Sequence, residues 1–168
     1  LRDREILLGV FEMGNLYILM GGNNTRKSST ICALTGFTRS RNPLEVRLEN
    51  GDTKTIYVIV SSAQEDARGF RNKVVKINHE GHEWDILLAL HPDNPDNKAS
   101  DFIRQIPEVN RQEIHIVPLG SEGIHTDLQR DISNLPSSRL TTYTGIPASR
   151  TMPANEIAHQ IRAEWDWL

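Results

Sequence analysis

Apolar and polar residues follow one another along this chain in blocks whose lengths and spacings predict an order of strands and helices. Short unbroken apolar runs, which are typical of strands buried on both faces, occur at 16–20 and 86–90, and another strand is predicted at 114–119. A helical spacing of apolar residues predicts helices at 68–78, 99–106, 125–135 and 154–168. A short last strand is predicted at 140–143.

Two further strands are predicted at 44–49 and 55–60. Asn50-Gly51-Asp52 separates them, a turn signal that indicates an antiparallel hairpin. The alternation of strands and helices elsewhere is typical of an α/β domain. We therefore expect a single domain over residues 1–168. Its predicted architecture is three-layer and doubly wound, with a mostly parallel sheet, helices on both faces and the antiparallel hairpin at one edge.

A polar, glycine-containing loop separates the first apolar run from a helix that begins near Lys27. Backbone N–H groups in such a loop converge on an anion, helped by the positive end of the following helix. We expect Gly21 and Gly22 to adopt backbone angles that other residues avoid. The residues expected to contact phosphate are Gly21, Gly22, Asn23, Asn24, Thr25, Arg26, Lys27, Ser28 and Ser29.

These residues resemble the phosphate-binding loop of the P-loop NTPase superfamily, whose frame is Gly, four residues, Gly-Lys-Ser/Thr. Gly21, Lys27 and Ser28 fill that frame, and Arg26 stands in place of the second glycine. The resemblance implies binding of a nucleoside triphosphate and of Mg²⁺. ATP is the expected nucleotide, because no Asn-Lys-x-Asp guanine motif follows the strand predicted at 114–119. It further implies that Lys27 contacts the β- and γ-phosphates and that Ser28 completes the Mg²⁺ shell. It does not choose between an ATPase, a kinase and a GTPase.

The expected catalytic residues are Lys27, Arg26 and an acidic residue after a neighbouring strand. Glu65 follows the run at 55–60 and Asp93 follows the run at 86–90, although neither run ends directly in Asp. We expect Arg26 to have ordinary right-handed helical angles, with its guanidinium at the rim of the site, where it would stabilise phosphate charge.

Three classes of function are compatible with this loop. The first is an NTP-dependent enzyme, a hydrolase or small kinase, and the second is a nucleotide-binding switch or degenerate module with little turnover. The third, least favoured, is a sulfotransferase-like protein that grips the 5′-phosphate of a sulfonucleotide. A protein partner that completes the site would fit the first two.

Composition adds little to this picture. Lys and Arg total 19 against 22 Asp and Glu, a net charge of −3, which indicates neither nucleic acid nor a membrane surface as a partner. No apolar run approaches the roughly 20 residues of a membrane-spanning helix. Cys32 is the single cysteine, so no internal disulfide forms and a cytoplasmic location is the default expectation. Trp165 and Trp167, two positions apart, are expected on different faces of the last helix.

Overall fold

A computed structural model of the chain describes residues 14–22, 25–36, 44–60, 68–72, 85–92, 99, 113–120, 130, 133–134, 140–148 and 151–168. Its strands are β1 (Leu16–Gly21), β2 (Leu44–Arg47), β3 (Thr53–Ile59), β4 (Asp85–Leu90), β5 (Ile114–Leu119) and β6 (Leu140–Thr142). The two longer helices are α1 (Lys27–Thr35) and α2 (Ala154–Trp165).

The strands form one six-stranded sheet in the order β2-β3-β4-β1-β5-β6. Every neighbouring pair is parallel except β2 and β3, which are antiparallel. The expected α/β class, the mostly parallel sheet and the hairpin at its edge are therefore confirmed. Gly51 in the hairpin turn has a φ of 90°, which glycine adopts without strain.

The predicted strands agree closely with the structure. The strands predicted at 16–20, 86–90 and 114–119 become β1, β4 and β5, and all their residues except the half-buried His115 are buried because the sheet is covered on both faces. The predicted helices at 68–78, 99–106 and 125–135 fall largely outside the described residues. Residues 68–72 and the single positions 99, 130 and 133 are helical.

Side chains that alternate along the strands build a hydrophobic cluster on each face of the sheet. α1 and α2 cover one face: Ile31 and Leu34 of α1 join Ile157 and Ile161 of α2 in the cluster there. On the other face, the cluster includes Phe70 and Ala99, which lie at helical positions. The order of helices on that face falls outside the described residues.

Contacts at their ends fix α1 and α2 to each other. The Arg162 Nη2 atom of α2 donates to the carbonyl oxygens of Ala33 at 2.9 Å and Leu34 at 3.2 Å. These oxygens lie in the last turn of α1, where carbonyl groups lack helical partners, so the guanidinium satisfies them and complements the helix dipole.

The expectation that the two C-terminal tryptophans diverge is wrong. α2 ends at Trp165 because Asp166 adopts left-handed angles, with a φ of 55°. The chain then turns, and both tryptophan rings are buried 4.9 Å apart in the same cluster, each beside Tyr17. Trp167 also forms an antiparallel bridge with Leu48, which extends the edge of the hairpin.

The connections that leave β1 and β5 diverge at the carboxyl ends of these two strands. β1 lies between β4 and β5. The chain leaves β1 for the hairpin on the β4 side, whereas it leaves β5 for β6 on the other side. Ligands of open α/β sheets bind where such connections diverge, beyond the carboxyl ends of the strands.

None of the helices in the described part of the chain has the length and apolar character that a membrane crossing requires.

Candidate functional site

The loop begins at Gly21, where β1 and β5 end side by side. Gly21 pairs with Leu119 in the parallel register. A Cβ atom on Gly21 would lie 2.5 Å from the Leu119 carbonyl oxygen and 2.5 Å from the Thr25 Oγ1 atom. Neither Gly21 nor Gly22 has a positive φ, so the expectation of unusual backbone angles is wrong at both positions. Gly21 is required for close approach, whereas a Cβ on Gly22 would meet open space.

Lys27, the first residue of α1, folds back over the start of the loop. Its Nζ atom donates to the carbonyl oxygens of Gly21 and Gly22, both at 2.6 Å, and lies 3.5 Å from Thr25 Oγ1. These are charge-assisted hydrogen bonds in a partly buried setting, where they are stronger than bonds between neutral groups. The ammonium is therefore held at the junction of strand, loop and helix.

Thr25 closes the loop from the other direction. Its hydroxyl donates to the Gly22 carbonyl oxygen at 2.9 Å. Its Cγ2 methyl lies 3.7 Å from where a Cβ atom on Gly120 would stand, just after β5. The Thr25 side chain therefore lies beside the ends of both β1 and β5.

Arg26 differs from its expected conformation. It is the N-cap residue of α1, and its φ of 64° and ψ of 19° are left-handed rather than right-handed. Glycine adopts this region freely, whereas a side chain costs about 1 to 2 kcal/mol there. The backbone therefore keeps a glycine-like conformation although the residue is arginine. The Arg26 Nε atom is buried without a hydrogen-bond partner, so this part of the side chain lies inside the protein surface.

The first turn of α1 carries no negative charge of its own. Its N-cap residue, Arg26, makes no side-chain capping bond, and the turn contains no acidic residue. Ser28 and Ser29 are exposed there, while Thr30 is fully buried. An N-terminus of this kind attracts an anion through its backbone N–H groups and its dipole.

Four of the predicted site residues lie outside the described part of the chain: Asn23, Asn24, Glu65 and Asp93. The strands that precede the two acidic residues are nevertheless placed. β4, which precedes Asp93, pairs with β1 and ends level with it, with Leu90 opposite Met20. β3, which precedes Glu65, lies one strand further away.

The described residues offer a limited set of metal ligands. Among them, no group of three or more His, Cys, Asp or Glu side chains could hold a metal ion. Mg²⁺ in nucleotide sites takes few protein ligands, because phosphate and water oxygens fill most of its shell. The exposed Ser28 hydroxyl, adjacent to Lys27, fits such a role.

The contribution of β5 to the site was missed by sequence reasoning. Leu119 presents its carbonyl oxygen to Gly21, and Gly120 has a φ of 150°, which favours glycine. The signal was present in the sequence, because Gly120 directly follows β5, much as Gly21 ends β1 and Gly22 follows it. Glycines at the ends of two neighbouring strands allow their loops to approach closely.

A second polar cluster lies at the amino ends of the strands, at the end of the sheet opposite to the glycine loop. The Lys54 Nζ atom donates to the Tyr17 hydroxyl at 3.1 Å and lies 3.5 Å from Asp85 Oδ2. Asp85 Oδ1 accepts from the Asn15 N–H at 2.7 Å. Burial raises the pKa of Asp85, against the opposing effects of Asn15 and Lys54. Burial alone would lower the pKa of Lys54, but its bond to Tyr17 and the charge of Asp85 outweigh it and raise that pKa.

His115 belongs to the same cluster. Its Nδ1 atom lies 2.8 Å from the Tyr143 hydroxyl, and its ring stacks on Tyr17 with centroids 4.9 Å apart. Burial lowers the pKa of His115, with Glu113 raising it and Lys54 lowering it further. Burial also raises the pKa of Tyr143. These groups connect β1, β3, β4 and β5 at the strand ends remote from the glycine loop. They therefore stabilise the sheet and do not belong to the loop site.

Comparison with protein-family models, with curated proteins and with solved structures finds no significant match to this chain.

Proposed function

We propose that the segment from Gly21 to Ser28 binds the phosphate chain of a nucleoside triphosphate, ATP in the first instance, together with Mg²⁺. The observation that carries this proposal is the position of Lys27. Its ammonium lies 2.6 Å from two carbonyl oxygens of the loop, at the start of a helix with no side-chain cap. A mobile point charge beside a positive helix end is well suited to phosphate.

Binding would transfer the Lys27 ammonium from the loop carbonyl oxygens to phosphate oxygens. The backbone N–H groups at the start of α1 would hold the same phosphates, and the Ser28 hydroxyl would contribute one oxygen to Mg²⁺. Mg²⁺, when bound, neutralises charge that develops between the β- and γ-phosphates. Lys27 and the helix dipole would stabilise the same charge without rearranging during the reaction.

We further propose hydrolysis or phosphoryl transfer as the outcome, in a three-layer, doubly wound domain. An acidic residue must hold the metal through water or orient the attacking group, and Glu65 and Asp93 are the proposed residues. β4, the strand that precedes Asp93, pairs directly with β1, and this favours Asp93 over Glu65. A partner protein could supply further groups.

The second candidate function is a nucleotide-dependent switch or binding module with little turnover. The left-handed, partly buried Arg26 favours it, because a side chain at this position occupies space that a glycine would leave to the nucleotide. A sulfotransferase-like activity is a third proposal, which the same phosphate-binding elements would support.

A thermal-shift panel separates these functions. ATP, GTP and adenosine 3′,5′-bisphosphate are each added with and without Mg²⁺, and the melting temperature is recorded. A ligand that binds only the folded state raises that temperature by mass action. Stabilisation by ATP that increases with Mg²⁺ supports the main proposal. Stabilisation by the bisphosphate alone supports the sulfotransferase-like function, and no response to any of the three contradicts nucleotide binding.

A further inference from the structure

We propose that Thr25 is a positioning residue of the phosphate loop, with its hydroxyl holding the loop and Lys27 in the geometry that receives phosphate. The proposal rests on the phosphate-binding function above and adds a side-chain role to it. Its basis is a triangle of contacts among Thr25, Lys27 and Gly22.

The Thr25 hydroxyl forms a hydrogen bond with each of the other two residues. It donates to the Gly22 carbonyl oxygen at 2.9 Å and lies within 3.5 Å of the Lys27 Nζ atom, from which it accepts. The same Gly22 oxygen accepts from Lys27 at 2.6 Å. One hydroxyl therefore connects the loop backbone to the charged group, and both are partly shielded from water.

The rest of the Thr25 side chain fills a gap between the ends of β1 and β5. Its Cβ and Oγ1 atoms lie 3.1 Å and 2.5 Å from the position of a Cβ on Gly21. Its methyl lies 3.7 Å from the corresponding position on Gly120. The two glycines leave the space that threonine occupies. A β-branched residue suits it because its χ1 angle is restricted, which fixes hydroxyl and methyl together.

The functional consequence is preorganisation. A loop that must be ordered when its ligand arrives loses affinity, because the conformational entropy of its residues is lost at that moment. Thr25 fixes the Gly22 carbonyl oxygen and keeps the ammonium beside the start of α1, so that Lys27 only has to exchange carbonyl oxygens for phosphate oxygens when the ligand arrives. Its hydroxyl is expected to contribute to phosphate affinity through Lys27 rather than by contacting the nucleotide.

The test compares Thr25→Val, which keeps the shape and removes the hydroxyl, with Thr25→Ser, which keeps the hydroxyl and removes the methyl. Titration of Mg·ATP measures affinity, and ¹⁵N relaxation of the Gly22 and Thr25 amides measures order in the nucleotide-free protein. Thr25→Ala serves as a second hydroxyl-free variant if Thr25→Val does not fold. Circular dichroism confirms that each variant is folded.

We expect Thr25→Val to weaken ATP binding about tenfold, the scale of one neutral hydrogen bond, and Thr25→Ser to stay within about threefold of wild type. The amide order parameters should fall in Thr25→Val from about 0.85 towards 0.6 and be retained in Thr25→Ser. In a Lys27→Ala background, Thr25→Val should cause no further loss, because the hydroxyl acts through Lys27.

Wild-type affinity and wild-type order in Thr25→Val would overturn the proposal. Equal losses in Thr25→Ser and Thr25→Val would also overturn it, because the methyl contact rather than the hydroxyl would then be responsible. If the wild-type protein binds no ATP, the nucleotide function fails. The relaxation data then decide separately whether Thr25 orders the loop.

Discussion

The ammonium of Lys27 lies 2.6 Å from the carbonyl oxygen of Gly21, so the first residue of α1 is bonded directly to the last residue of β1. This contact draws strand and helix together around the intervening loop. It also means that the carbonyl oxygens compete with any phosphate for the same ammonium. The site that we propose is therefore assembled before its ligand binds, and binding exchanges one set of oxygen acceptors for another.

The first prediction concerns the close approach at Gly21. Gly21→Ala should lower the free energy of unfolding by about 1 to 3 kcal/mol, because the added methyl would meet the backbone oxygen of Leu119, which cannot move aside cheaply. Gly22→Ala is the matched control. Its methyl meets open space, so the change should stay within about 0.5 kcal/mol. Urea denaturation measures both, and equal losses would show that the described contact is not what requires glycine.

The second prediction concerns the left-handed conformation of Arg26. Arg26→Gly should raise the free energy of unfolding by about 0.5 to 1 kcal/mol, because glycine removes the steric cost but adds entropy to the unfolded chain. Arg26→Ala keeps the strained angles and should give no such gain. Asp166→Gly is a control at the other left-handed residue, with a smaller gain because aspartate tolerates this region better.

The same three variants decide what the arginine side chain does. If Arg26 stabilises phosphate charge, Arg26→Gly and Arg26→Ala should both weaken ATP binding about tenfold, the scale of one charge-assisted contact. Asp166→Gly should leave ATP binding unchanged. Tighter binding in both Arg26 variants would instead mean that the arginine obstructs the site, which would favour the binding module over the enzyme.

The third prediction concerns the proposed metal oxygen of Ser28. Ser28→Ala should reduce the gain in ATP affinity that Mg²⁺ provides and should leave Mg²⁺-free binding within about threefold of wild type, because only the metal shell is altered. Thr142→Ala is the control, since it removes an exposed hydroxyl in β6, outside the phosphate loop. Titrations with and without Mg²⁺ measure the difference. An equal effect of the two substitutions would remove Ser28 from the metal site.

The fourth prediction is a pH dependence that arises from His115. Because burial lowers its pKa in the folded state, the unfolded chain binds a proton more readily. The stabilisation from neutral His115 is fully present above the unfolded pKa, about 6.5, and is lost as pH falls from there through the folded pKa. His115→Phe keeps a ring to stack on Tyr17 and should show a smaller loss of stability between about pH 7.5 and 5.5.

The control for this prediction is Gln160→Phe, which adds an aromatic ring at an exposed position of α2 without removing a titratable group. It should leave the wild-type slope of stability against pH unchanged in the same range. Unfolding by urea at several pH values provides the measurement. A slope in His115→Phe that equals the wild-type slope would show that other groups control the acid response.

Much of the fold could be predicted from the sequence because its signals are local. β1 and β4 are short apolar runs, β5 is rich in apolar residues, and the turn at Asn50-Gly51-Asp52 marks the hairpin without reference to the rest of the chain. The candidate site could be proposed for the same reason, because the strand, glycine loop and Lys27 lie within one stretch of sequence. The order of strands could not be read in this way, since the pairing of β1 with both β4 and β5 joins distant segments.

The errors at the site have one physical origin. At Gly21 and Arg26, the residue type indicates which backbone angles are accessible but not which atoms surround the residue. The need for glycine at position 21 comes from the carbonyl oxygen of Leu119, which lies close in space although it is about a hundred residues away in sequence. Arg26 shows the converse, because the geometry between loop and helix imposes a left-handed conformation on a residue that disfavours it. Tertiary contacts override local preference at both positions.

Calorimetric titration of Mg·ATP into wild type and Lys27→Ala directly measures whether Lys27 and the loop bind a triphosphate. We predict saturable binding to wild type and a loss of about 2 to 4 kcal/mol of binding free energy in Lys27→Ala, the scale of a charge-assisted contact in a sheltered site. Circular dichroism should show the same helix content in both proteins. Equal affinity of the two proteins for ATP would show that Lys27 does not contact the triphosphate. No binding to the wild type would show that the loop does not bind ATP.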